Sequence, residues 1–325
     1  MAVDLDALLA ALERGERRAV ARLLTIVEDG SPAQLRHVIA ALHPRGGHAR
    51  VLGISGSPGV GKSTLTDRLA AALRAQGRTV AVLAVDPSSP FTGGALLGDR
   101  VRMQGHHADP GVYIRSMASR GHLGGLSVAT PQAVVVLDAA GFDDVLIETV
   151  GVGQSEVEIA ATADTTVIAL APGMGDGIQA AKAGILEVAD VFVINKADAG
   201  GAGRLQAELE GMLELGHDTG AGTSWWPPIV RTVAVRDEGV AELLAAIGQH
   251  TAALAADGTG VARRRGRARH LVRELALEET RRSFARLEAG EDALLDHLAG
   301  RVEDRELDPY TAADELLAAT RAAAD

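Results

Sequence analysis

Gly56-Ser57-Pro58-Gly59-Val60-Gly61-Lys62-Ser63 follows an apolar run (Val51, Leu52, Ile54) and precedes Thr64, Leu65, Leu69, Ala72 and Leu73 at helical spacing. Strand, glycine-rich turn and helix, in that order, are the context in which this octet reads as a phosphate-binding loop. From Gly56 to Thr64, backbone N–H groups of residues such as Ser57, Gly59, Val60 and Gly61 can close around phosphate oxygens at a helix N-terminus. Lys62 is placed to reach the terminal phosphates and the Ser63 hydroxyl to face a magnesium ion. The loop specifies a nucleotide but neither the base nor the purpose.

Working outward, short apolar runs at 79–85, 112–116, 143–149, 164–170, 190–195 and 229–235 alternate with helical patterns. That alternation predicts an α/β fold with a mostly parallel central sheet flanked by helices. Residues 1–45 read as N-terminal helices, 46–255 as the nucleotide domain, and 256–325 as an all-helical extension through Leu271, Leu275, Leu277, Phe284, Leu294 and Leu316. The apolar stripes of that extension need a surface to cover, either the nucleotide domain or a second copy.

The chain has 325 residues, 47% of them apolar, enough for a sizeable core, and its lack of cysteine excludes disulfides, thiolate metal sites and catalytic thiols. A net charge of −11 argues against general nucleic-acid binding. The acids Asp4, Asp6, Glu13 and Glu16 suit an amphipathic helix rather than a targeting peptide, and no apolar run approaches membrane-spanning length, so a cytoplasmic protein is expected. His106-His107 reads as a solvated helix end rather than a ligand pair. The basic run Arg263, Arg264, Arg265, Arg267 and Arg269 reads as a solvated helix face or linker, with an acidic partner surface as the alternative. Trp225-Trp226 reads as packing ahead of a strand rather than a partner contact.

Asn195-Lys196-Ala197-Asp198 follows the apolar run Val191-Phe192-Val193-Ile194, at the strand end where ligands of open α/β sheets bind. Its chemistry suits guanine. The Asp198 carboxylate can accept from both the ring N–H and the exocyclic amine, a donor pair that adenine lacks. Thr232-Val233-Ala234 is placed to offer a backbone N–H to the guanine oxygen. Val145-Leu146-Ile147-Glu148 ends in a carboxylate that can hold a magnesium water, and Gly151 can give its N–H to a γ-phosphate. Asp86 and Asp99, in the segment Asp86-Pro87-Ser88-Ser89-Pro90 to Gly98-Asp99-Arg100, are candidates for the metal shell or for orienting water. Val152 follows Gly151 where Ras-like enzymes carry a water-orienting glutamine, and Gln154 lies three residues beyond the glycine. Intrinsic hydrolysis should therefore be slow and completed by a partner.

These segments together resemble the GTPase chaperones of adenosylcobalamin-dependent acyl-CoA mutases, the family of MeaB, ArgK-type and methylmalonic aciduria type A proteins. The likeness rests on Gly56 to Thr64, Val85 to Ser89 with Thr92-Gly93-Gly94 and Leu97 to Arg100, Glu148 to Glu156, and Asn195 to Asp198. It implies a homodimer built through the C-terminal extension, and GTP hydrolysis that gates cobalamin loading of the mutase and protects or rescues it. It also implies that Asp86, Asp99 and Glu148 surround magnesium and that Lys182, within Asp176-Gly177-Ile178-Gln179-Ala180-Ala181-Lys182, is a functional lysine. The chain departs from the pattern at Ala180-Ala181, where bulkier residues are common, and at Val233-Ala234, where many GTPases carry Ser-Ala. Two other classes are alternatives: a transport-associated protein kinase or ATPase of the lysine-arginine-ornithine system, and a nickel-insertion GTPase. The guanine motif counts against the first; the lack of cysteine and of a histidine-rich tract counts against the second.

Overall fold

The computed structural model describes residues 4–86, 103–106, 108–118, 129–149, 155–173, 188–217, 225–288 and 294–322. The chain divides into two compact units, residues 1–267 and 268–325. Among the described residues the first holds a seven-stranded sheet of order β3-β2-β4-β1-β5-β6-β7, with β1 Arg50–Gly56, β2 Val80–Asp86, β3 Val112–Ala118, β4 Asp144–Thr149, β5 Thr165–Leu170, β6 Val191–Ile194 and β7 Ile229–Arg231. All six pairings are parallel, with Leu52 opposite Leu146 and Thr165, and Val193 opposite Val230.

Parallel strands buried on both faces need apolar side chains at consecutive positions, and the two-residue period then assigns them to opposite cores. On β2, Ala81, Leu83 and Val85 point into one core while Val80 and Val82 point into the other. On β6, Val191 and Val193 share the second core with Val167 and Ala169 of β5, whereas Phe192 and Ile194 face a third.

The N-terminal helices α1 Leu5–Glu13, α2 Arg17–Asp29 and α3 Pro32–Leu42 cover the first core; with them lies α5 Ala129–Ala139, which follows α4 Lys62–Ala75 in the chain. The starts of α1 and α3 have local reasons. Asp4 caps α1 by accepting from Ala7 N at 3.0 Å, and Ser31 and Gln34 form a reciprocal capping box with proline in the first turn of α3. Arg17 then fastens α2 to the sheet by donating to the carbonyls of Asp109, Pro110 and Val112. On the opposite face α4 packs beside α8 Val240–Ala256, which buries Val240, Leu243, Ala246 and Ile247. Helix α6 Ser155–Ala160 sets Ile159 against β1, where Gly53 leaves room: a Cβ there would lie 2.6 Å from Ile159 Cγ1. Helix α7 Ala202–His217 closes the third core with Ala202, Leu205, Leu209 and Leu213.

Helix α9 Thr259–Glu288 runs across the division between the units. In the second unit, α10 Leu294–Glu303 and α11 Pro309–Ala322 pair through Arg301 and Glu315, 2.8 Å apart, and bury Leu298 and Ala312. Among the described residues no helix is long and apolar enough to cross a membrane.

Several sequence expectations need correction. The seventh strand stops at Arg231 rather than continuing to residue 235, because Ala234–Arg236 form a 3-10 turn and Val233 bridges back to Glu238. His106 is not a solvated helix end: its Nε2 lies 3.2 Å from Asp67 Oδ1 with its side chain 12% exposed. His107 lies outside the described residues. The basic run is not uniformly solvated either. Arg263 donates to Asp190 Oδ1 at 2.8 Å and to His250 Nε2 at 3.0 Å, and Arg267 pairs with Asp164. Spaced four apart, these two arginines share one helix face and bind the aspartates that precede β5 and β6. The acidic surface they meet belongs to the same chain. Of the two tryptophans expected to pack, Trp225 does, its Nε1 donating to Asp190 O at 2.8 Å and its ring 5.0 Å from His250, whereas Trp226 is 47% exposed.

Candidate nucleotide site

Of the segments singled out in the sequence, the phosphate loop, Glu148, Asn195 to Asp198 and the turn after β7 lie at the C-terminal edge of the parallel sheet. Gly56, the last residue of β1, has φ 144°, and a Cβ there would meet Ala169 O of β5 at 2.1 Å. Gly59 and Gly61 have φ 81° and 95°. Only glycine holds such angles without strain, so these residues shape the loop while leaving its N–H groups uncovered by side chains.

Lys62 and Ser63 open α4 and are both buried. Lys62 folds its ammonium back over the loop, donating to Gly56 O at 2.7 Å and Ser57 O at 3.1 Å. A buried cation held by two carbonyls beside a helix N-terminus makes an electropositive cradle. Ser63 Oγ donates to Glu148 Oε1 at 2.6 Å, which puts a hydroxyl and a buried carboxylate in direct contact. These hard oxygen donors are of the kind magnesium takes, in small number, with water and phosphate completing its shell. Beneath them Thr149 Oγ1 donates to Ser55 Oγ at 2.9 Å, locking β4 to β1.

Asn195 is 3% exposed and joins three segments. Its Nδ2 donates to Val60 O at 2.8 Å, while its Oδ1 accepts from Thr232 Oγ1 at 3.0 Å and from Ala234 N at 3.1 Å. The phosphate loop, the end of β6 and the turn after β7 are thereby one hydrogen-bonded unit. Gly61 is part of the same fit, since a Cβ there would lie 2.6 Å from Asn195 Nδ2. Lys196, in a left-handed conformation with φ 56°, lays its stem towards the loop and donates to Gly59 O at 2.7 Å. Asp198 stands half-exposed at the rim with its Oδ2 3.1 Å from Arg236 Nη1.

The donor assigned to the guanine oxygen is engaged differently from the expectation. Ala234 N–H is taken by Asn195 Oδ1, and Val233 N–H donates to Glu238 O at 3.0 Å. Among the other candidates, Ser57, Val60 and Thr64 lie in the loop and its helix, and Asp86 ends β2 at the same sheet edge. The Asp86 side chain, and Asp99, Gly151 and Lys182 entirely, lie outside the described residues. Arg236 and Glu238 were not singled out from the sequence. The signal available was Val233, an apolar residue where many GTPases carry serine.

Comparison with known proteins places this geometry in context. A family model described as "Methylmalonyl Co-A mutase-associated GTPase MeaB" matches residues 20–288. A Pyrococcus horikoshii protein named "Putative GTPase" is 48% identical over 315 residues, covering 96% of this chain and 97% of its own. GTPase ArgK of Escherichia coli is 38% identical over 76% of each chain. The mitochondrial methylmalonic aciduria type A homolog of mouse is 39% identical over 73% of this chain and 61% of its own length. Among solved structures, that of a LAO/AO transport system kinase superposes with a TM-score of 0.67 at 27% identity, covering 99% of both chains.

Proposed function

This chain belongs to the MeaB family of GTPases, and from that premise we propose that it is a GTP-hydrolysing chaperone of an adenosylcobalamin-dependent acyl-CoA mutase of the methylmalonyl-CoA type. In this reading GTP binding and hydrolysis gate cobalamin loading and protect or reactivate the mutase. The observation that carries it is the match to a mutase-associated GTPase over residues 20–288, which spans both the phosphate loop and the guanine motif.

Gly56 to Thr64 would hold the phosphates, with the Lys62 ammonium moving from the Gly56 and Ser57 carbonyls to the terminal phosphate oxygens. Such an exchange swaps neutral acceptors for charged ones and so favours the bound state. Ser63 and Glu148 would hold magnesium and its water, with Asp86 and Asp99 contributing from the segment after β2. The ion, when bound, neutralises charge that builds on the phosphate oxygens. Gly151 would donate its N–H to the γ-phosphate, and Lys182 would act as a further cation for the transferred group. Asp198 would read guanine, Lys196 would support the loop through Gly59 O, and Asn195 would hold the base-binding turn of Val233 and Ala234 against the phosphate loop. For Ala234 N–H to reach the guanine oxygen, it must be shared with or released by Asn195 Oδ1.

Val152 in place of a water-orienting glutamine supports a slow intrinsic rate that the mutase raises. A homodimer through the helical extension at 256–325, with 1–45 and 46–255 as the helical and GTPase segments, is part of the proposal. The apolar residues Val272, Leu277 and Tyr310, 67%, 43% and 86% exposed, support a partnered extension. The test is gel filtration of the purified chain with methylmalonyl-CoA mutase, with GDP and with a non-hydrolysable GTP analogue. Complex formation that depends on the nucleotide is expected; none in either state, with any acyl-CoA mutase, would remove the partner assignment.

A further inference from the structure

Asp198 must present both carboxylate oxygens in the plane of a guanine edge, yet its side chain stands at the rim of the sheet, 42% exposed. A carboxylate in that position rotates freely unless something holds it. Val233, in the turn after β7, has no polar side-chain atom. The hydrogen bond to Asp198 comes instead from Arg236, whose Nη1 lies 3.1 Å from Oδ2.

Arg236 is itself fixed. Its Nε donates to Glu238 Oε1 at 2.7 Å and its Nη2 to Glu238 Oε2 at 3.3 Å, so the other face of the guanidinium is gripped by two bonds. The backbone prepares this grip. Val233 N donates to Glu238 O at 3.0 Å, Asp237 takes φ 61°, and Gly239 takes φ 77°, where a Cβ would lie 2.0 Å from Arg231 O. The turn therefore doubles back and sets Glu238 beside Arg236. A planar fork clamped along its Nε–Nη2 edge by a carboxylate turns its Nη1 in a defined direction.

We propose that Arg236, held by Glu238, is the positioning residue that orients the Asp198 carboxylate for guanine and so sets the protein's discrimination for the 2-amino group of the base. Arg236 acts through Asp198 and needs no contact with the nucleotide. Glu238 matters only through Arg236. The proposal rests on the reading that Asp198 accepts the guanine donors.

The experiment measures the affinities of GDP and IDP, which differ only by the 2-amino group, for the full chain and for R236A, E238Q and D198A. For R236A, the GDP affinity is expected to fall about fivefold, the scale of one exposed charged contact, while IDP affinity stays within about twofold. E238Q should move the ratio in the same direction by less. Arg236 is half-exposed, so its removal leaves the core intact, and unchanged unfolding by circular dichroism verifies that. An R236A ratio equal to that of the unaltered chain, whether both affinities fall together or neither moves, overturns the proposal. D198A separates the two levels: it should abolish the preference for GDP, and if the preference survives, the base-reading role of Asp198 fails and the proposal with it.

Discussion

Replacing Asn195 by alanine should cost the nucleotide domain about 3 kcal/mol of stability. The side chain is 3% exposed and makes three hydrogen bonds, to Val60 O at 2.8 Å, from Thr232 Oγ1 at 3.0 Å and from Ala234 N at 3.1 Å. Alanine leaves a carbonyl, a hydroxyl and an amide without their partner. Each such loss costs roughly 0.5–1.5 kcal/mol net, and up to about 3 kcal/mol where water cannot reach the orphaned group. The vacated space admits about one water, which offsets part of the loss. A sum near 3 kcal/mol, with a range of about 2–4 kcal/mol, follows. Urea unfolding followed by tryptophan fluorescence reports on this unit, because Trp225 packs within it against His250 and Asp190. At a slope of about 3 kcal/mol per molar, the midpoint should fall by roughly 1 M. N195D adds a second arm. It keeps the acceptors but sets a carboxylate oxygen against Val60 O, so it should destabilise as well and should weaken GDP binding. A midpoint for N195A within about 0.2 M of the unaltered chain would refute the claim that this residue ties the loop, β6 and the base-binding turn together.

Three further outcomes follow from the geometry. S63A removes the hydroxyl bonded to Glu148 Oε1 at 2.6 Å and should lower GTP turnover at limiting magnesium by about tenfold or more, as loss of a metal-positioning group does; turnover with an unchanged magnesium dependence would count against a metal site there. G56A forces a Cβ to 2.1 Å from the backbone oxygen of Ala169 at φ 144°, so the variant should lose several kcal/mol and GDP binding with it; wild-type thermal stability would show that the loop tolerates another shape. His250 is buried, and burial holds its imidazole below the ordinary value of 6.5 against the opposing charge of Asp190. The unfolded chain then binds the proton that the fold resists, so stability is full above about pH 6.5 and declines as pH falls towards the lower folded value. H250Q should flatten unfolding midpoints between pH 5 and 7, roughly; an unaltered pH profile would remove His250 as the cause.

How much of this was legible in the sequence depends on how local the signal is. Inner strands such as β2 and β6 are legible because burial on both faces requires apolar runs such as Val191-Phe192-Val193-Ile194, whereas the edge strand β3 carries Arg115 and Ser116 in its middle. The phosphate loop is legible because φ angles above zero demand glycine at fixed offsets from Lys62. Asn195 and Asp198 are legible because the strand before them fixes their place at the ligand edge. The end of β7 was not, because Val233 looks like the continuing apolar alternation, whereas it bridges to Glu238 across a turn. Arg263 and Arg267 read as solvated because their partners, Asp190 and Asp164, are 73 and 103 residues away in sequence. Arg236 escaped notice for the same reason: Asp198 lies 38 residues upstream, and only the fold makes them neighbours.

The measurement that tests the central claim most directly is GTP turnover at a fixed concentration of this chain, titrated with purified methylmalonyl-CoA mutase. The account predicts a slow basal rate and a saturable rise of about tenfold or more, since groups completed by a partner contribute about 10³ to 10⁵ in the strongest cases of this reaction class. A rate that stays flat to saturating mutase, with GTP bound throughout, would contradict it.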